Sequence, residues 1–175
     1  MKLLPVIHLL FAMSLSFTSY TMAAGGQINF TGTLEESQCT PIDSTIIVSL
    51  GRIGVDTFTG LASTSEKRAF DIALKDCTSN GGSLKVSVTF TGSDGNTNDY
   101  LDIPTGLGNA TGVEIVLYDA DQGVLPLRQE SDQVIVSEAG GNLTLSFFAG
   151  YRQTSVEQVT PGRANGIVAF TLTFL

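Results

Sequence analysis

"NGIVAFTLTFL", Asn165 to Leu175, is the stretch that decides the fold: Val168, Phe170, Leu172 and Phe174 alternate with Ala169, Thr171 and Thr173. A period of two with apolar residues on one side is the pattern of a half-buried strand. Terminal residues are usually loose and polar unless something ties them down. Here an apolar strand ends the sequence, and no later strand is available to cover its second edge.

The other end reads differently. Lys2 precedes an apolar run from Leu3 to Phe17, followed by polar Thr18 to Thr21 and a Met22-Ala23-Ala24 junction. That order describes a secretory signal peptide, residues 1–23, cleaved after Ala23 or Ala24. The run is shorter than the roughly 20 apolar residues a membrane span needs. Cleavage after Ala23 leaves 152 of the 175 residues, the size of one domain with one core.

Loss of the leader removes His8, the chain's single His, and there is no Trp. It also removes Lys2, so the formal net charge of −8 becomes −9. An acidic surface without basic clusters argues against nucleic acid as a partner, and no later segment suits membrane insertion. Cys39 and Cys77 remain. In an exported chain they read as a disulfide closing a loop of 39 residues, against the alternative of two free buried thiols.

From Gln27 onward the sequence predicts strands: Gln27–Leu34, Ile46–Leu50, Phe70–Leu74, Leu84–Phe90, Val113–Tyr118, Gln133–Ser137 and Leu143–Tyr151. Turn-formers separate them at 79–82, 92–95, 121–123 and 140–142. No long stretch has helical periodicity, and Thr64 to Ala69 could form at most a short helical turn. Many short strands between Gly/Asn/Asp turns indicate an antiparallel sandwich.

Chemistry finds little footing. Without His, neither a Ser-His-Asp nor a Cys-His arrangement can be built. Paired carboxylates for glycoside hydrolysis stay open from sequence alone, against the plainer reading of solvated acids on a sheet's outer face. "DGNTND", Asp94 to Asp99, starts like a calcium loop but lacks the Gly at its sixth position and has Thr105 where the Glu should stand. "GLGNATG", Gly106 to Gly112, misses the dinucleotide spacing and precedes a strand. Both read as loops. The sequons at Asn29, Asn109 and Asn142 fit chance in a Thr-rich chain. No cofactor or metal is implied. What stands out is two apolar ends, Gly25–Leu34 and the terminal strand. They could pair with each other in a self-sufficient sandwich, such as a monomeric secreted carbohydrate-binding or adhesive protein.

Five blocks point elsewhere. "GGQINFTGTLEESQC" (Gly25–Cys39), "VSLGRI" (Val48–Ile53), "FDIALKDC" (Phe70–Cys77), "VEIVLYD" (Val113–Asp119) and "TPGRANGIVAFTLTFL" (Thr160–Leu175) resemble the pilins of chaperone–usher fimbriae, most closely type 1-like subunits. Gly162 stands fourteenth from the end, where that family's C-terminal motif has its glycine, and Phe174 replaces the usual penultimate Tyr. The resemblance implies a non-enzymatic structural subunit of a surface fimbrium that supports cell adhesion. It implies an all-β fold, an incomplete immunoglobulin-like antiparallel sandwich completed by a donor strand from a chaperone or neighbouring subunit. Residues 24–38 would be the N-terminal extension and 39–175 the pilin domain. Ile28, Phe30, Gly32 and Leu34 would be the donor residues. Gly162, Val168, Phe170, Leu172, Phe174 and Leu175 would form the acceptor strand that a periplasmic chaperone covers first, the carboxylate of Leu175 anchored by chaperone basic residues. An outer-membrane usher would then export the subunit to its neighbours. Strand donation of this kind is a general mode of recognition for which pilins are a standing example.

Overall fold

The structure is a computed structural model, and it describes residues 39–78, 83–93, 99–136 and 141–175. The expected leader and N-terminal extension, with Ile28, Phe30, Gly32 and Leu34, lie outside the described residues. Among the described residues seven strands follow in order: β1 (Thr40–Pro41), β2 (Arg68–Cys77), β3 (Leu84–Gly92), β4 (Val113–Tyr118), β5 (Val134–Val136), β6 (Gly141–Gln153) and β7 (Val168–Phe174). They form two antiparallel sheets, β1-β2-β6-β4 and β5-β3-β7, with one 3₁₀ turn at Val55–Thr57.

Alternation sets the core. Phe70, Ile72 and Leu74 of β2 stand opposite Phe147, Leu145 and Leu143 of β6, and all face inward. From the other sheet come Val86, Val88 and Phe90 of β3, all but inaccessible to solvent. Phe70, Phe90 and Phe147 meet at its centre with ring centroids 5.1–6.2 Å apart, two of the three contacts edge-on.

Strict alternation from Phe70, Ile72 and Leu74 would point Cys77 outward. A bulge between Leu74 and Cys77, with Asp76 at φ +54°, resets the parity. Asp is among the few residues that enter this left-handed region readily. Cys77 thereby turns into the core and closes the disulfide to Cys39, both sulfurs buried. This bond ties the start of the domain to the end of β2.

Three expectations are corrected. Ile46–Leu50 belongs to neither sheet, although its burial alternates as a strand's would. Thr64–Ala69 is not helical: Ser65 N–H donates to the Tyr151 carbonyl at 2.9 Å, and β2 begins at Arg68. The turn expected at 140–142 does not reach past 140, because Gly141 already pairs with Cys77 and opens β6.

Candidate functional site: an open strand edge

β7 pairs with β3 along its whole length, Phe170 opposite Phe90, Leu172 opposite Val88 and Phe174 opposite Val86. Its second edge has no strand on it among the described residues. The register shows what that edge offers. Leu175 and Lys85 exchange both backbone bonds, at 2.9 and 3.0 Å, so they form a hydrogen-bonded pair. Antiparallel pairs alternate, and residues of the intervening pairs point their N–H and C=O away from the partner. Counting back, those are Phe174, Leu172, Phe170 and Val168. The residues whose side chains face the core therefore also present their backbone donors and acceptors on the open edge.

Burial matches this geometry. The inward residues of β3 are sealed, whereas Val168, Phe170, Leu172 and Phe174, packed against the same core, are only half-buried. The segment 46–53 also meets the core, with Ile46, Val48 and Leu50 half-buried and Ile47 92% exposed. Ile46, Leu50, Val55 and Phe58 pack on the core cluster, yet no backbone bond joins residues 43–53 to a strand among the described residues. The half-buried apolar face of β7 beside its free edge makes a shallow apolar seam, and 46–53 is a second stretch of core side chains without ladder partners among the described residues.

One end of the seam deepens into a cleft of about 350 Å³. It lies between 51–58 and 159–165, the latter leading directly into β7. Ile53, Val55, Phe58, Tyr151, Val159 and Ala164 supply its apolar wall. Tyr151 Oη donates to the Ala164 carbonyl at 2.7 Å and fixes one side. Burial raises the Tyr151 phenol above its ordinary range, so the hydroxyl stays a donor at any physiological pH. Gly162 is on the rim, and its part is steric: a Cβ there would run into the backbone of Asn109 and Ala110. Ala110 N–H donates to the Arg163 carbonyl at 2.9 Å across the same crossing. Gly51, at φ +81°, lets the opposite bank turn after Leu50.

Of the residues singled out in the sequence, Val168, Phe170, Leu172 and Phe174 thus share one face and one edge. Leu175 extends the ladder by one residue but is largely exposed, its parity placing it with Thr171 and Thr173 on the outer face. The opposite bank and the cleft wall were not anticipated, since they come from three segments distant in sequence. The half-alternation Ile46-Val48-Leu50 was their signal, read as an ordinary strand.

An all-β sandwich with an open apolar edge and one disulfide is the architecture of a pilus subunit. A family profile described as fimbrial protein matches residues 28–174. The chain is 32% identical over 178 residues to long polar fimbria protein A of Salmonella typhimurium, covering 97% of this chain and 96% of that one. Among solved structures, it is similar to an antigen and type I fimbria protein of Burkholderia pseudomallei. There the identity is 30% and the TM-score 0.57, covering 75% of this chain and 83% of that one. A subunit of a chaperone–usher pilus, solved to explain rod uncoiling, matches at 25% identity and a TM-score of 0.62, covering 90% and 100%. The chain belongs to the fimbrial protein family. It is a structural, non-enzymatic subunit that assembles with neighbouring subunits in a surface fimbria.

Proposed function

We propose that this subunit polymerises by strand donation, the N-terminal extension of one copy filling the seam beside β7 of the next. Before that, a periplasmic chaperone strand occupies the same seam, and an outer-membrane usher exchanges one for the other during export. The observation that carries the reading is the combination on β7. Four core-facing residues are left half-buried, and their backbone groups point to an edge with no strand on it among the described residues. An apolar edge of seven residues invites a strand. Residues 28–34 are also seven, with Ile28, Phe30, Gly32 and Leu34 on one side. Fully burying a large apolar side chain is worth roughly 1.5–3 kcal/mol. Completing the burial on both sides of the seam therefore amounts to several kcal/mol, before any main-chain bonds.

The test deletes residues 25–34. The shortened chain is expected to bind the chaperone and accept another copy's strand but not donate one, so it caps growth in mixtures with wild type. A self-contained sandwich predicts the opposite: the deletion would destroy the fold, and the chaperone would not rescue it. Sizing of chaperone complexes and fibre length against the fraction of shortened chain separates the two.

A further inference from the structure

The cleft is electrostatically unlike the rest of the protein. The chain carries 9 Lys/Arg against 17 Asp/Glu. Yet the cleft is lined by Arg52 on one bank and Arg163 on the other, with no carboxylate among its described lining residues. Neither guanidinium forms an ion pair among the described residues, in contrast to Arg68, paired with Glu66, and Arg152, paired with Glu114. Asp56, on the neighbouring 3₁₀ turn beside Gly54, stays outside the lining, and Glu66, which comes near this bank through Arg68 beside Gly51, is already paired with that arginine. Two arginines that line an apolar cleft and have no ion pair among the described residues, Arg163 reaching also toward Gly108, suit an apolar segment that ends in negative charge.

The extension has that sequence. Its apolar alternation ends at Leu34 and is followed at once by Glu35 and Glu36. Resting on the strand-donation reading above, we propose that Arg52 and Arg163 hold the carboxylates of Glu35 and Glu36 of the incoming copy. This clasp fixes the strand antiparallel to β7 and in one register. The lengths agree: laid antiparallel, residues 28–34 run from Phe174 back to Val168, at about 3.4 Å per residue. Leu34 then reaches the cleft, and the two glutamates come one and two residues beyond it, within the reach of an arginine. Laid parallel, the uncharged Gly26-Gln27 would meet the arginines, and the glutamates would lie by Phe174, where Lys85 of β3 is the neighbouring cation. A strand slipped by two residues keeps its apolar face inward. It would, however, pull the glutamates past the cleft or place Gly32 in it. Charge thus specifies what alternation leaves open, and it does so mainly through encounter and register rather than total affinity.

The experiment follows fibre growth of the complete mature chain by light scattering, at low ionic strength and at about 1 M salt, where screening lengths fall to roughly 3 Å. Arg52→Glu with Arg163→Glu is expected to slow growth on the order of tenfold at low salt, and far less at high salt. Adding Glu35→Lys and Glu36→Lys to the same chain should restore the rate, while Lys85→Glu should leave it unchanged. Disulfide formation and thermal unfolding confirm that each variant is folded. A reversed-arginine chain that grows like wild type at low salt overturns the clasp, as does a fourfold variant that stays slow. A loss seen with Lys85→Glu instead overturns the orientation. Gly32→Arg keeps the two readings apart, since it clashes within the seam wherever the glutamates go. If it too grows normally, strand donation itself is wrong; if it blocks growth while the arginine variant does not, only the clasp is.

Discussion

β4 and β7 are both outermost strands of their sheets, both apolar and of similar length, yet the molecule treats their free edges in opposite ways. Beyond β4, Ile115 exchanges both backbone bonds with Leu101 at 2.9 Å, and Leu125 N–H donates to the Leu117 carbonyl at 2.9 Å. Glu114, Val116 and Tyr118 on its outer face are covered as well, and all six residues of β4 are buried. Beyond β7 nothing comparable is found among the described residues, and its inward side chains stay half-buried. The chain's own loops suffice to close an edge, and among the described residues they close that of β4 and not that of β7. β1 and β5, the remaining outer strands, have only two and three residues, too short to template another strand. The open edge is therefore a specific feature of β7.

The largest test removes the bond that lets a domain tolerate such an opening. Cys39→Ser deletes the tie between the start of the domain and the end of β2. In the chain-entropy picture, a loop of this length is worth roughly 4 kcal/mol. In a sandwich with one edge unclosed, that is a large part of its stability. The variant is expected to fail to accumulate, measured as yield of folded, protease-resistant protein. Wild-type yield and wild-type polymers would mean that the closed half holds the fold alone.

Next in size is a matched pair. Leu117→Ala in β4 removes a sealed core side chain, and such changes cost about 2–5 kcal/mol. Leu172→Ala in β7 removes one that is half in water, so its cost to the unfilled subunit should be nearer ~1 kcal/mol. In the fibre the order should change: Leu172→Ala weakens the joint between subunits, whereas Leu117→Ala leaves joints intact once folded. Denaturant unfolding of subunits and of fibres measures both. Equal costs in the isolated subunit would mean that the seam is already filled.

Sequence showed one side of this contrast well and the other poorly, for a physical reason. Alternation reports which side of a strand meets the core, so β2, β3, β4 and β7 could be read directly from their inward residues. It does not report whether backbone groups find partners. Ile46-Val48-Leu50 has the same pattern as Val86-Val88-Phe90, yet one lacks a ladder and the other sits between two strands. Contacts between distant segments were equally hidden. Nothing local says that residues 51–58 and 159–165 share a cleft, or that Gly162 must be bare because Asn109 crosses it. The resemblance to pilins supplied the meaning of β7, but the second bank had to be seen.

The smallest effect probes how the closed edge is made. Glu114 on the outer face of β4 has its side chain 2% exposed and accepts a 2.7 Å bond from Arg152 Nη1, while Arg152 stacks over the Tyr100 ring. Burial raises the Glu114 pKa above its ordinary 4.5; Arg152 opposes the shift, and Asp102 and Asp99 add to it. A carboxyl whose pKa is higher folded than unfolded binds more protons in the folded state, so its contribution to stability falls as pH rises from 4.5 through the folded value. Above that window the penalty is constant. Glu114→Gln keeps the shape and an acceptor for Arg152 but cannot ionise. Its stability relative to wild type should therefore improve across the same pH window and level off beyond it. The complete chain can be followed by urea unfolding at closely spaced pH values. A difference between the two proteins that stays flat across the window, or that favours wild type increasingly as pH rises, would show that Arg152 outweighs burial and that the edge is held by its ion pair rather than in spite of it.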